Sequence, residues 1–251
     1  MHHQNKTKTF NRGDEPQIEI MKIAILGTGN VGQTFAVKFV ELGHEVMLGT
    51  RNVEATLARK ATDNYGSLPF AEWHSKNEKV QLGTFAETAT FGEIVLNVLQ
   101  GAVTINTLKS IPASSFDGKI IVDVSNPLDF SKGFPPTLSE GLNNDNSLGE
   151  EIQKTLPNAK VVKTLNTMYS GLMINPRALG EDSTVFVSGN DADAKAKVTT
   201  TLKEFGWKDS EILDLGDITT ARGTEGFLPL WLRIFGATQN GFFNMKVATG
   251  K

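Results

Sequence analysis

The chain has no cysteine, which excludes disulfides, thiolate metal sites, cysteine nucleophiles and lipid attachment through a thiol. Histidine is nearly as scarce, with 4 among 251 residues. His2 and His3 fall in a polar leader, His44 in the turn after a helical segment, and His74 in a polar insertion between predicted elements. None stands at a strand end where chemistry is expected, so they read as tail, turn or solvated histidines, and no metal site is expected. Long apolar runs are also missing. Nothing approaches the roughly 20 residues that cross a bilayer, so no membrane partner is expected. Neither sign of charge is in excess: 25 basic and 28 acidic residues leave a formal net charge of -3. Without a block of like charge, no nucleic-acid partner is expected either. These absences leave a small molecule as the expected partner. Met1 to Ile20 contains no apolar core that could act as a secretory signal. Residues 1–20 therefore read as a flexible leader and the protein as cytoplasmic.

What is present is an ordinary globular composition, 39% hydrophobic and 21% charged, in a chain long enough for one large domain with a small appendage. Lys22 to Leu26 is short, apolar and partly β-branched, as a buried parallel strand should be. Val31, Phe35, Phe39 and Leu42 then recur at near-helical spacing, with Gly43 as the stop. Further strands are predicted at Glu45–Gly49, Val80–Leu82, Ile94–Leu99, Lys119–Val124, Lys160–Leu165, Thr184–Ser188 and Glu211–Leu215. Helices are predicted at Val53–Ala61, after the capping-box pair Ser147 and Glu150, at Asp191–Phe205, and as one final helix from Asp217 to about Ala237. This alternation requires an α/β fold, a doubly wound, mainly parallel Rossmann sheet with a small C-terminal α/β extension. We divide it into a dinucleotide-binding domain at 21–166 and a smaller acceptor-binding or dimerisation part at 167–251. The final helix is apolar around much of its circumference and is expected to be buried. Pro127 to Asn146, rich in Gly, Pro and Asn, reads as a long functional or mobile loop.

Gly27-Thr28-Gly29-Asn30-Val31-Gly32 lies between the first strand and the first helix. There the first glycine permits a tight turn, the second lets backbone approach a pyrophosphate, and the third lets helix pack on strand. The helix N-terminus adds amide donors and partial positive charge. At the end of the second strand, an NAD-preferring site usually carries Asp or Glu to bond the ribose 2′-hydroxyl. This chain reads Thr50-Arg51-Asn52. Arg51 offers a charged fork to a 2′-phosphate and Thr50 and Asn52 offer uncharged hydrogen bonds, so the expected cofactor is NADP(H). Residues following the later strands are expected to flank the nicotinamide and its ribose: Val98 and Leu99, Ser125, Asn126 and Pro127, and Asn166. Plain turn chemistry remains the alternative there, above all at Asn126-Pro127.

As a set these residues resemble a known family. KIAILGTGNVG at 22–32, LGTRN at 48–52, DVSNPL at 123–128, VVKTLNTM at 161–168, VFVSGN at 185–190 and RGTEGFLPLWL at 222–232 are similar to the coenzyme F420-dependent NADP oxidoreductases. The same pattern occurs in the cytosolic oxidoreductase domains of membrane metalloreductases. The resemblance implies NADP(H) binding by Thr28, Asn30, Val31, Thr50 and Arg51. It also implies hydride exchange with a deazaflavin, a flavin or a similar planar acceptor seated by the C-terminal part, and the protein is expected to be a homodimer. One departure is Asn166, where archaeal deazaflavin-using members carry histidine.

No acid or base is positioned for a hydroxy-acid or alcohol dehydrogenase. Hydride exchange with a flavin-like ring demands less, chiefly stacking and exclusion of water. Met168, Tyr169 and the stretch Phe227 to Trp231, including Leu228, are candidates for the apolar wall, with core or subunit interface as the alternative. Asn166, Tyr169 and Leu228 are the acceptor-side candidates, and no catalytic residue is assigned. Lys163 reads as a strand-end lysine facing solvent, and Asp123 as a structural carboxylate. Glu225 is a candidate for orienting the acceptor or closing a helix contact. A non-catalytic NADP(H) sensor or assembly subunit is the competing reading. An imine reductase is disfavoured because strands continue where an all-helical domain would begin.

Overall fold

A computed structural model describes residues 19–60, 68–142 and 144–250. His2, His3 and nearly all of the leader lie outside them, as does Ala61. In chain order the first half contains β1 (Lys22–Leu26), α1 (Asn30–Glu41), β2 (Glu45–Thr50), α2 (Val53–Leu57), α3 (Phe70–Ser75), β3 (Val80–Thr84), α4 (Phe85–Phe91), β4 (Ile94–Asn97), α5 (Gly101–Lys109) and β5 (Ile120–Asp123). A small hairpin, β6 (Leu128–Asp129) and β7 (Thr137–Leu138), precedes α6 (Leu148–Thr155), β8 (Lys160–Thr164) and α7 (Ser170–Ile174). β9 (Val185–Gly189), α8 (Ala192–Glu204), β10 (Ile212–Gly216), α9 (Ala221–Gly226) and α10 (Leu228–Thr238) complete the chain.

Eight strands form one sheet in the order β10-β9-β8-β5-β4-β1-β2-β3. Six are mutually parallel. β9 runs antiparallel to β8, and β10 is parallel to β9. The mainly parallel, doubly wound architecture expected from the sequence is thus present, with the chain reversing at β9 and extending the same sheet past Asn166. Order reverses about β1, which lies between β2 and β4, so a crevice opens beyond the carboxyl ends of β1 and β4.

Both sheet faces are covered, which explains why β1 and β4 are apolar without alternation. On one face Phe35 and Phe39 of α1 pack with Phe205 and with Val198 of α8. On the other, Leu108, Phe116, Leu148 and Ile152 pack against Ala24, Leu26 and Ile121. Local chemistry sets the helix starts. Thr84 and Glu87 form a capping box for α4, Asn52 caps α2 through Ala55 N–H, and Ser147 caps α6 through Glu150 N–H.

The expected final helix is divided. A 3-10 turn at Ile218–Thr220 leads into α9, and α10 begins afresh at Leu228 with Pro229 in its first turn. Gly223 and Gly226 weaken the middle, and Pro229 lacks the N–H that an uninterrupted helix would need. Only one stripe of α10 is covered, since Leu228 and Leu232 are buried while Leu230 is 55% exposed. The segment at 53–61 is helical only to Leu57. Inside the stretch read as a long loop, β6 and β7 pair antiparallel. Among the described residues no helix is long and apolar enough to cross a membrane, and no cluster of acidic or histidine side chains is placed to hold a metal ion.

Candidate dinucleotide and acceptor site

The glycine turn joins β1 to α1, and its three glycines do different work. Gly27 has φ +128°, which L side chains disfavour, and a Cβ there would lie 3.0 Å from Val98 Cγ2. Its N–H donates to Gly49 O at 3.0 Å, joining the ends of β1 and β2. A Cβ on Gly32 would lie 2.3 Å from Gly27 O, so only glycine lets α1 approach the turn this closely. Gly29 differs: a Cβ would meet nothing within 4 Å. It is the N-cap of α1 in extended conformation, no side chain caps the helix, and no acid occupies the first turn. Uncapped amides facing open space, with the helix dipole behind them, fit a pyrophosphate.

At the end of β2 the three expected residues separate. Thr50 is buried and its hydroxyl shares a hydrogen bond with Thr56 Oγ1 at 2.6 Å. Asn52 Oδ1 accepts from Ala55 N–H at 2.8 Å. Both side-chain oxygens are therefore engaged within the chain. Arg51 is exposed, and no hydrogen bond or ion pair holds its guanidinium among the described residues. Arg51 therefore presents free charged donors, while Asn52 Nδ2, which no hydrogen bond engages among the described residues, keeps uncharged ones.

A cleft of about 260 Å³ opens beside the turn and gathers Asn30, Val31, Asn126, Asn166, Tyr169 and Leu228, with Met168 and Trp231 beside them. These residues come from four separate stretches of the chain. Asn126 and Asn166 hold each other reciprocally: Asn166 Nδ2 donates to Asn126 Oδ1 at 2.9 Å, and Asn126 Nδ2 donates to Asn166 O at 2.9 Å. Gly101 makes room for this pair, because a Cβ there would lie 2.2 Å from Asn126 O. Trp231 stacks on Phe235 at 5.6 Å and on Phe243 at 5.2 Å, forming an aromatic wall. Among the described residues no carboxylate, imidazole or amine lines the cleft.

Other expected residues support the cleft without facing it. Val98 backs Gly27. Leu99 N–H donates to Asn97 Oδ1 at 3.4 Å. The Ser125 hydroxyl turns inward to Asp123 Oδ1 at 2.6 Å, and Pro127 O accepts from Ser139 N–H at 2.7 Å. The histidines that can be described are also structural. His44 is buried beneath Phe39 and accepts from Met21 N–H at 3.2 Å, while His74 bonds Val80 O at 2.8 Å.

A buried cluster joins β5, β8 and α9, and spacing in the sequence does not reveal it. Lys163 is not solvent-facing; it is 1% exposed, with Nζ 2.8 Å from Asp123 Oδ2, 2.7 Å from Glu225 Oε1 and 2.6 Å from Ser125 O. The reason is that β8 lies inside the sheet, where both faces are covered, and its register places Lys163 beside Asp123 of β5. Asp123 also accepts from Asn97 Nδ2 at 2.8 Å, which makes it the structural carboxylate expected. Glu225 accepts from Leu148 N–H at 2.8 Å and Gly149 N–H at 3.0 Å at the start of α6, so it closes a helix contact. Burial pushes the lysine pKa down, but the two carboxylates more than offset this and hold it above its ordinary value.

A strand-glycine turn-helix unit at the crevice of a doubly wound sheet, with an arginine and no carboxylate after the second strand, defines a dinucleotide-binding protein of Rossmann type. Residues 22–127 match the family of NADP oxidoreductases, coenzyme F420-dependent. A solved structure from Arthrobacter sp. FB24, assigned as an F420-dependent NADP-reductase, is 53% identical. It superposes with a TM-score of 0.85, over 91% of this chain and 100% of that one. The chain belongs to the coenzyme F420-dependent NADP oxidoreductase family. The F420-dependent NADP reductase of Methanothermobacter marburgensis is 32% identical over 45% of this chain and 48% of its own. Metalloreductase STEAP3 of Rattus norvegicus is 28% identical over 85% of this chain and 38% of its own. The chain thus spans less than half the length of these two curated relatives. An imine reductase from Pseudomonas sp., 20% identical with a TM-score of 0.58 over 88% of this chain and 64% of that one, shares the fold.

Proposed function

We propose that this protein exchanges hydride between NADP(H) and a planar acceptor of the deazaflavin or flavin class. The observation that carries this reading is the cleft itself. Its walls are the start of α1, the Asn126–Asn166 pair and the Leu228–Trp231 face, and among the described residues no carboxylate, imidazole or amine lines it, the Tyr169 phenol being its one ionisable group. When bound, NADPH supplies the hydride. The chain's own contribution is placement: α1 amides and the open space at Gly29 for the pyrophosphate, Arg51 for the 2′-phosphate, the asparagine pair for polar ring edges, and apolar side chains to exclude water. A planar acceptor that spreads charge over its own ring needs no protein acid. This agrees with Asn166, an amide that hydrogen-bonds without titrating. The exposed Leu230 on the outer side of α10 is the surface we assign to a homodimer contact.

The test is mixing with NADPH and, in turn, coenzyme F420, FMN and FAD while following the loss of reduced nicotinamide. Turnover with at least one is expected. Tight NADPH binding with no oxidation by any of them would replace this reading with that of a non-catalytic sensor. The 2′-phosphate assignment has its own expected outcome. Arg51→Glu should weaken NADPH binding on the order of 100-fold, as loss of charge-assisted bonds with added repulsion requires, and NADH binding far less. Equal loss for both in a binding titration would end the assignment.

A further inference from the structure

Arg59 stands just beyond α2, and its side chain crosses to the glycine turn. Nη2 donates to Thr28 Oγ1 at 3.3 Å. The guanidinium carbon Cζ lies over the ring of Phe70, 5.9 Å from the centroid, and Phe70 itself is buried. An arginine held in this way has lost much of its rotamer freedom before any ligand arrives. Its charge has no carboxylate partner among the described residues, and Thr28 takes only one of the five N–H donors a guanidinium carries. Thr28 sits between Gly27 and Gly29, where the uncapped amides of α1 converge on open space. A restrained cation with no carboxylate partner among the described residues and the uncapped amides of α1 thus face the same region from two sides.

We propose that Arg59 is a second phosphate-binding arginine, acting on the bridging pyrophosphate of the dinucleotide as Arg51 acts on the 2′-phosphate. The inference rests on the cofactor assignment and adds a division of labour to it. Arg51 follows β2 directly and makes no side-chain hydrogen bond to the turn among the described residues, whereas Arg59 is tethered to the turn by Thr28. The pyrophosphate is common to NAD and NADP, and the 2′-phosphate belongs to NADP alone. Arg59 therefore supports affinity without selectivity, and Arg51 supplies the selectivity. Phe70 has a role by the same argument: its ring, 5.9 Å from Arg59 Cζ, helps to hold the guanidinium near the turn.

The experiment is calorimetric titration of the intact protein with NADP⁺ and with NAD⁺ for wild type, Arg59→Ala, Arg59→Lys and Arg51→Ala. The expected result is a loss of about tenfold for both dinucleotides in Arg59→Ala, as removal of a charge-assisted bond implies. Arg59→Lys should recover part of it, because a point charge remains but the fork does not. Arg51→Ala should weaken NADP⁺ selectively. Unfolding of the ligand-free Arg59→Ala protein should match wild type, since the side chain is exposed. A loss confined to NADP⁺ in Arg59→Ala would make Arg59 a second 2′-phosphate group and overturn the proposal, as would unchanged affinity for both. If the wild-type protein bound neither dinucleotide, the cofactor assignment would fail instead.

Discussion

Lys163→Met is expected to lower the stability of the folded protein by about 3–5 kcal/mol, the cost of leaving buried carboxylates without their cation. Asp123 is 0% exposed and Glu225 is 2% exposed, so neither can recruit bulk water when the ammonium is removed. The two are not equally stranded. Asp123 keeps the donors of Asn97 and Ser125, and Glu225 keeps the Leu148 and Gly149 amides at the start of α6. Adding Glu225→Gln to Lys163→Met should therefore recover part of the loss, because it removes one of the two buried charges. Urea denaturation of the three proteins measures this directly, and a single variant within about 1 kcal/mol of wild type would show that the lysine does not hold the cluster.

The same cluster fixes the sign of a pH effect. The lysine pKa is raised in the fold, so its contribution is fully present below the unfolded-state value near 10.5 and is lost as pH rises through the folded value. Stability measured from neutral pH upward should stay flat with respect to this group until the strongly alkaline range, then fall. A decline beginning near neutrality would need another group. The cluster is also more than a local staple. It connects β5, β8, the start of α6 and α9, and α10 with Leu228 and Trp231 follows α9 within two residues. One ammonium group thus ties β5 and β8 to α9, the helix that leads into the Leu228–Trp231 face.

The parts of this fold that were legible in the sequence are those whose cause is local. β1, β4 and β8 announce themselves as short apolar runs because both sheet faces are covered, and α1 because Phe35 and Phe39 recur on one side. The glycine turn was legible for the same reason, since its requirements are set by neighbouring residues. The Lys163 cluster was not. In a strand covered on both faces, alternation carries no information about which side chains meet solvent, so a lysine there looks like a strand end. The one available signal was register: Asp123 and Lys163 occupy matching positions in adjacent strands, each shortly before a cleft asparagine. Glu225 comes from a distant part of the chain and could not have been paired by spacing. Arg59 was hidden for a related reason, because its contact with Thr28 depends on where α2 ends and on the ring of Phe70. The break between α9 and α10 shows the reverse error. There Gly223, Gly226 and Pro229 end one helix and start another within a stretch whose apolar pattern by itself is continuous.

Two alanine substitutions one helical turn apart should separate folding from cofactor binding. Gly29→Ala places a methyl group where the chain has nothing within 4 Å, on a residue with φ -76° that any amino acid adopts. The poorer N-cap and the smaller unfolded-state entropy act in opposite directions, so stability should stay within about 1 kcal/mol of wild type. The methyl group would nevertheless stand in the space over the uncapped amides. If a pyrophosphate lies there, loss of one or two charge-assisted bonds should weaken NADP⁺ binding about 30-fold. Gly32→Ala should fail differently. Its Cβ would lie 2.3 Å from the backbone oxygen of Gly27, and no side chain can move aside to relieve the clash. Either α1 or the turn must shift, at a cost of about 3 kcal/mol in overpacking, and binding is then lost because the turn is displaced. Thermal unfolding and NADP⁺ titration on both variants distinguish the cases. A stable Gly29→Ala protein that binds NADP⁺ as wild type does would place the pyrophosphate somewhere other than this turn, and the assignments of Arg51 and Arg59 would fall with it.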